Sequence, residues 1–450
     1  MKIHNQETML TPTPTAFAAR RWGFSLLEAA RRRLTIHPHR RTFLATTLAL
    51  GLAACAVAPT APPAQPLRLD SARLSQVVSW VKADVDKGRY PGAVVLVMRD
   101  GKVLLHEAIG WADKERGVPM ARDSIHPIAS STKLVTTVAA LRLFEQNRLR
   151  IMAPVSSYLP ELANLRVAKR DASGNPSMTE TAAAARQPTV HDLMTHRAGF
   201  TYFFFPKNAL RDRYRDLGID RIDGDAAPEM LRKLATLPLA FEPGTSFEYS
   251  IATDLLGHII ERVTAKPLDQ ALNELVLEPL KMRDTTFFVQ DPALQRLARP
   301  GAGDPDMWVF DWLDVTKPPK RFSGGAGMAS TASDYARLLQ MMLNEGELDG
   351  VRLLSPATVR WAMSDQIGAT RGVAHPGDGY SWNLFNPVRT AQGGPLFPGS
   401  VGDIFWGGIT GPRYFVDPEQ RLVGVFFMQR PSERGAVHAE FRAVVYGALK

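Results

Sequence analysis

Ser130-Ser131-Thr132-Lys133 heads an apolar run, Leu134 to Phe144, and what stands around it decides the fold. A hydroxyl and an amine three residues apart share one face of a helix. Serine is a poor nucleophile until a nearby base takes its proton, and a buried lysine one turn on is suited to that task. The spacing alone is weak evidence, since a chain of this length holds about one such pair by chance. Ser79-Trp80-Val81-Lys82 repeats it. Ser79, however, sits inside an amphipathic stretch, Leu74 to Val85, with no strand close before it. Ser130 follows a predicted β-hairpin, Gly92 to Met98 and Val103 to Ile109, turned at Asp100-Gly101. A helix is therefore expected to open at Ser130, where free N–H groups and the helix dipole favour an alkoxide or oxyanion. Ser79 and Lys82 are expected on an ordinary surface helix.

Downstream of this helix, residues 165–188 read as an exposed excursion rich in Ala, Thr, Ser and Arg. Helices are predicted around Val190 to Thr195, Pro228 to Leu237 and Thr253 to Thr264. Strand character returns with Tyr414 to Asp417 and Leu422 to Met428 around a Pro418 to Arg421 loop. The predicted fold class is α/β of the α+β type. One antiparallel sheet is built from both chain ends and flanked by helices, about residues 69–150 and 321–450, with a mostly helical insert over about 151–320.

Further motifs carry a family resemblance. S-x-x-K is the signature of penicillin-recognising serine hydrolases. Phe241-Glu242-Pro243-Gly244-Thr245-Ser246-Phe247-Glu248-Tyr249-Ser250, with Asp254-Leu255-Leu256-Gly257 after it, resembles the second motif of the class C β-lactamase and family VIII carboxylesterase group. His191-Asp192-Leu193-Met194-Thr195-His196-Arg197-Ala198-Gly199 is similar to that group's L-x-T-H-x-x-G segment. Ser323 to Ser330 followed by Asp334 is similar to its S-x-x-G-L-x-S-T-x-x-D segment. Trp406-Gly407-Gly408 stands where penicillin-binding enzymes carry K-T-G, a motif expected on an edge strand. The resemblance covers about residues 70–450 with the motifs in order. It implies a β-lactamase/penicillin-binding-like fold.

The same resemblance implies an acyl-enzyme on Ser130, with Lys133 and Tyr249 as the proton-handling pair. Which of the two removes the first proton stays open, because coupled groups titrate as a unit. The implied oxyanion hole is the backbone amides of Ser130 and Ile409. Gly407 and Gly408 would let the strand backbone approach the substrate. Penicillin-recognising enzymes usually place a lysine at the third motif to hold a substrate carboxylate, and here Trp406 removes that anion anchor and adds an apolar wall. The implied activity is a carboxylesterase acting on short-chain or apolar esters. The alternatives kept beside it are a β-lactamase or D-amino-acid peptidase of the same family, and a non-catalytic envelope-binding lipoprotein. Tyr202, within Thr201-Tyr202-Phe203-Phe204-Phe205-Pro206, is a candidate pocket-lining residue.

With 450 residues, 45% hydrophobic and 22% charged, the chain has material for one large or two medium domains. The net charge of +9 is concentrated at the N-terminus. Residues 1–55 hold eight basic residues (Lys2, Arg20, Arg21, Arg31, Arg32, Arg33, Arg40 and Arg41) against Glu7 and Glu28, which is +6 of the +9. The remaining +3 gives no basic patch for nucleic acid. Arg40-Arg41 before the apolar Phe43 to Ala54 reads as a twin-arginine export signal. Cys55, the only cysteine, closes a lipoprotein-like box and is the expected lipidation site. A Pro/Ala linker spans residues 56–68. The expected location is the periplasmic side, with membrane attachment by lipid only. A metal site on His191, Asp192 and His196 is disfavoured, because neither H-E-x-x-H nor a further placed ligand is present. The absence of G-x-S-x-G argues against an α/β-hydrolase. No cofactor is implied, the expected partner is a small ester or amide substrate, and nothing fixes an oligomeric state.

Overall fold

The computed structural model describes residues 67–172 and 174–450. The predicted signal segment with Arg40, Arg41 and Cys55, and most of the linker, lie outside the described residues.

Gly92–Arg99 (β1) carries six apolar side chains in eight positions, and the reason is that both of its faces are covered. Successive side chains on a strand point to opposite faces. Val94 and Leu96 enter the large core cluster, whereas Ala93, Val95 and Val97 enter a smaller one on the other side. Each buried valine or leucine contributes roughly 1.5–3 kcal/mol. Lys102–Asp113 (β2) returns antiparallel through Asp100 and Gly101, both at positive φ (49° and 75°), the backbone of a tight hairpin turn. Val118–Pro119 (β3) ends that side of the sheet.

The remaining strands come from the other chain end: Tyr380–Trp382 (β4), Pro387–Arg389 (β5), Ile404–Gly407 (β6), Arg413–Asp417 (β7) and Leu422–Met428 (β8). The sheet runs β4-β5-β6-β7-β8-β1-β2-β3, antiparallel at every pairing. β1 and β8 join the two halves in register from Ala93 opposite Met428 to Arg99 opposite Leu422. Gln76–Asp86 (α1) and Arg434–Gly447 (α5) cover one face through Val77, Val81, Val437, Phe441 and Val445. Thr132–Glu145 (α2) and Ala332–Leu343 (α4) lie on the other. Eleven of the fourteen α2 residues are buried, so α2 is enclosed on nearly all sides instead of presenting one apolar stripe.

Between the two halves of the sheet the helices Val190–Met194, Ala227–Leu234 and Ala252–Thr264 (α3) form as expected from periodicity, and Ala209–Asp216 adds a helix not predicted from the sequence. The predicted excursion at 165–188 is instead largely a β-hairpin, Arg166–Arg170 against Pro176–Ala183. Its alternating Thr-rich second strand leaves one side in solvent, and Val167 and Ala168 tuck under Leu239. α2 and α3 clamp the Ser323 to Ser330 segment. A Cβ at Gly324 would stand 2.8 Å from the Thr253 carbonyl oxygen and 3.2 Å from Gly257 Cα, so only glycine admits this crossing.

Candidate active site

Ser130 sits in a 3₁₀ turn, Ala129–Ser131, that feeds directly into α2. Ala129 holds φ at +43°, a left-handed backbone that costs a non-glycine residue about 1 kcal/mol. The surroundings fix it. Ile128 N–H donates to the Met328 carbonyl (2.9 Å), Met328 N–H to Thr132 Oγ1 (3.1 Å) and the Tyr335 hydroxyl to the Ser131 carbonyl (2.9 Å). Thr410 Oγ1 donates to the Pro127 carbonyl at 2.7 Å. Thus α4, the Ser323 to Ser330 segment and the loop after β6 all grip the turn that presents Ser130.

Lys133, in the first turn of α2, is 1% exposed. Its Nζ donates to the Gly325 carbonyl (2.7 Å) and to the Tyr202 hydroxyl (3.1 Å). It also lies 4.7 Å from the centre of the Tyr249 ring. Among the described residues it donates to neither the Ser130 nor the Tyr249 hydroxyl. Gly325 is itself held by Asp254, which accepts from its N–H at 3.3 Å and from the Ser323 hydroxyl. The D-L-L-G and S-G-G segments therefore meet to build the acceptor for Lys133.

Tyr249 follows Phe247 and Glu248 into a short turn before α3. Its hydroxyl accepts the Trp406 indole N–H at 3.2 Å. His196, with φ at +54°, packs its ring 4.6 Å from that of Tyr249, and its Nδ1 accepts the Ser250 N–H at 3.2 Å. Burial, with the Lys133 charge nearby, holds this imidazole well below its ordinary pKa, so it is neutral with its proton on Nε2. A buried ion pair lies behind both tyrosines. Arg211 donates to Glu248 Oε1 (2.8 Å), Thr201 Oγ1 (3.1 Å) and the Pro206 carbonyl (2.6 Å). Glu248 and Thr201 immediately precede Tyr249 and Tyr202, so one guanidinium ties together the two residues that carry the tyrosines around Lys133.

Trp406 to Ile409 faces this cluster, but β6 is not an edge strand. It is third from the sheet's edge, although β5 pairs with it only at Ile404, which leaves Trp406 to Ile409 open on that side. Gly408 is required here for a specific reason. A Cβ would lie 2.4 Å from the Ile128 carbonyl oxygen and 3.2 Å from Ala129 Cβ. Its close approach is thus to the turn presenting Ser130, where the sequence suggested an approach to substrate. Gly407 is similarly crowded by Pro412 and Arg413. Among the described residues neither the Ser130 nor the Ile409 amide donates to a protein acceptor. Ser130, Trp406 and Ile409 are each half-buried, on the open side of the cluster.

The other sequence candidates separate cleanly. Tyr202 is 2% exposed and serves as a Lys133 acceptor; burial raises its phenol well above the ordinary range. Phe203, Phe204 and Phe205 are half-buried beside it. Ser79 and Lys82 are exposed on α1, with Lys82 paired to Asp86. His191 meets Gln366, and Asp192 caps its helix and pairs with Arg186, so these two do not converge with His196. The Gly325 carbonyl, the His196 bond to Ser250 and the Arg211 brace escape a sequence reading. The only signal for them was the polar side chains standing next to the motif tyrosines.

Known proteins resemble this chain in sequence and in fold. The Beta-lactamase family matches residues 77–447. Esterase EstB of Burkholderia gladioli is 35% identical over 351 residues, covering 73% of this chain and 83% of the esterase. A putative D-alanyl-D-alanine carboxypeptidase of Escherichia coli K12 is 27% identical over 391 residues, 80% of this chain and 82% of that one. Among solved structures, EstCE1, a hydrolase with promiscuous acyltransferase activity, superposes with a TM-score of 0.71 at 29% identity, covering 84% of this chain and 99% of that one.

Proposed function

The chain belongs to the Beta-lactamase family of serine hydrolases, and from that premise we propose that it is a carboxylesterase acting on short-chain or apolar esters through an acyl-enzyme on Ser130. The observation that carries this reading is Trp406. An indole stands where a carboxylate-anchoring lysine is expected, and its N–H is spent on Tyr249. The site thus offers the substrate an apolar wall at that position and no cation. The EstB relative, itself an esterase, supports the same reading.

In the proposed reaction Tyr249, reacting as the phenolate, takes the Ser130 proton as Oγ bonds to the ester carbonyl carbon. The Lys133 Nζ lying 4.7 Å from the centre of the Tyr249 ring and the Trp406 N–H on the Tyr249 oxygen both favour negative charge on that oxygen, which supports Tyr249 as the group that takes the first proton, with Lys133 acting electrostatically. The Ser130 and Ile409 amides receive the oxyanion. When the tetrahedral intermediate collapses, the ester C–O bond breaks and Tyr249 returns the proton to the leaving alcohol. Water then repeats the sequence on the acyl-enzyme, releasing the acid and restoring the Ser130 hydroxyl. Labelling with a fluorophosphonate, mapped by peptide mass, tests the nucleophile. Label on Ser130 that disappears in Ser130→Ala agrees with the proposal, whereas label elsewhere contradicts it.

The location is proposed from the sequence alone: export through the Arg40-Arg41 signal and anchoring by lipid on Cys55. Palmitate labelling should disappear in Cys55→Ala. Labelling and membrane retention that persist in that variant would refute the anchor.

A further inference from the structure

The peptide between Gly325 and Ala326 joins a lysine and a carboxylate that do not pair directly. Its carbonyl accepts from Lys133 Nζ at 2.7 Å, and its N–H donates to Ser323 Oγ at 3.0 Å. The Ser323 hydroxyl in turn donates to Asp254 Oδ1. Every donor in this chain points the same way, from the amine through the amide and the hydroxyl to the carboxylate, so each bond polarises the next. The backbone is shaped for it. The Gly325 N–H also donates to Asp254 Oδ1, at 3.3 Å, and a Cβ at Gly325 would overlap the Asp254 carboxylate. Thr136 Oγ1 anchors the preceding Gly324 carbonyl at 2.7 Å.

Neither end of this chain has an ionic partner of its own. Among the described residues Lys133 and Asp254 make no ion pair, and the other Lys133 bond goes to the Tyr202 hydroxyl. Arg321 and Asp220 lie within electrostatic range of Asp254, one of each sign, and neither bonds it. Arg321 donates to the Asp225 and Ile219 carbonyls, and Asp220 accepts the Phe203 N–H. Lys133 and Ser323 are 1% and 4% exposed, so the inner links are shielded from water, whereas Asp254 is half-buried at the outer end. A carboxylate at that end makes the Gly325 carbonyl a stronger acceptor for the amine. That bond holds Nζ 4.7 Å from the centre of the Tyr249 ring, without a bond to the Ser130 hydroxyl.

We propose that Asp254 is a positioning residue for the reaction: through Ser323 and the 325–326 peptide it holds the Lys133 amine against the Tyr249 ring. The inference rests on the acyl-enzyme reading above. Two variants of the full-length protein test it. Asp254 Oδ1 takes both bonds, so Asp254→Asn can keep them on its amide oxygen while the charge is removed. Ser323→Ala keeps the charge and breaks the chain. Each should lower kcat for p-nitrophenyl butyrate about tenfold with KM within about twofold, because the relay acts on the proton-transfer pair and not on substrate binding. Wild-type kcat in either variant, or a loss carried by KM, overturns the proposal. If one variant does not fold, the other decides, and failure of both to fold reduces Asp254 to a structural role. The two readings fail separately. A wild type that prefers a chromogenic cephalosporin ends the ester reading, and a tenfold loss of kcat on the cephalosporin in both variants still supports the relay. If neither substrate is turned over, the rate of fluorophosphonate labelling at Ser130 takes the place of kcat. An ester-hydrolysing wild type whose kcat both variants keep ends the relay alone, and a wild type that neither turns over substrate nor takes the label ends both.

Discussion

The Trp406 indole donates its N–H to the Tyr249 hydroxyl at 3.2 Å, so the residue that replaces a substrate-anchoring cation also touches the proposed base. Two substitutions separate these roles. Trp406→Phe keeps an apolar ring and removes the donor, which should cost about 1 kcal/mol, roughly a fivefold drop in kcat/KM for p-nitrophenyl butyrate. Trp406→Lys should weaken ester hydrolysis further while improving capture of a carboxylate-bearing cephalosporin by up to roughly a hundredfold. If Trp406→Lys improves both substrates equally, the indole is not acting as the selective wall described here.

Gly408→Ala should disable the site through the backbone. Its methyl would collide with the Ile128 carbonyl and push back the turn that presents Ser130. The expected result is a loss of about a hundredfold or more in the rate of fluorophosphonate labelling. Labelling at the wild-type rate would show that the turn and the strand end are not coupled.

His196 gives the fold a predictable pH response. The folded imidazole stays neutral, whereas the unfolded one takes up a proton below about pH 6.5. Its contribution to stability is therefore fully present above that pH and is lost as pH falls. Denaturant unfolding from pH 7 to 5 should show wild type losing stability faster than His196→Asn, by up to about 1.4 kcal/mol per pH unit. Parallel curves for the two proteins would contradict the assignment.

The Arg211 brace makes a prediction about catalysis as well as stability. Arg211→Met leaves Glu248 buried without its partner and should destabilise by roughly 3–5 kcal/mol. The double variant Arg211→Met, Glu248→Leu should recover much of that stability. It should not recover kcat, because Tyr249 and Tyr202 would have lost their common tether. Recovery of kcat together with stability would reduce the pair to a structural role.

The parts that could be read from the sequence were those written in local pattern. The Asp100-Gly101 turn, the 3.6-residue period of α3 and the order of the motifs fix the hairpin, the helix and the sheet built from both chain ends. What could not be read depends on contacts between residues distant in the chain. Whether β6 is an edge or interior strand is decided by Val388 opposite Ile404, and β5 is too short to announce itself. The hairpin at 166–183 was obscured by alanines and arginines that also suit loops and helices. Tyr202 looked like a pocket wall because its bond to Lys133 spans 69 residues, and Arg211 meets Glu248 across 37.

The central claim is that Ser130 forms an acyl-enzyme in a site built for neutral esters, and one comparison tests it most directly. Steady-state kcat/KM is measured for p-nitrophenyl butyrate and for a chromogenic cephalosporin, in wild type and in Ser130→Ala. The account predicts a strong preference for the ester and loss of turnover in Ser130→Ala. A wild type that prefers the cephalosporin, or a Ser130→Ala variant that still hydrolyses the ester at the wild-type rate, would contradict it.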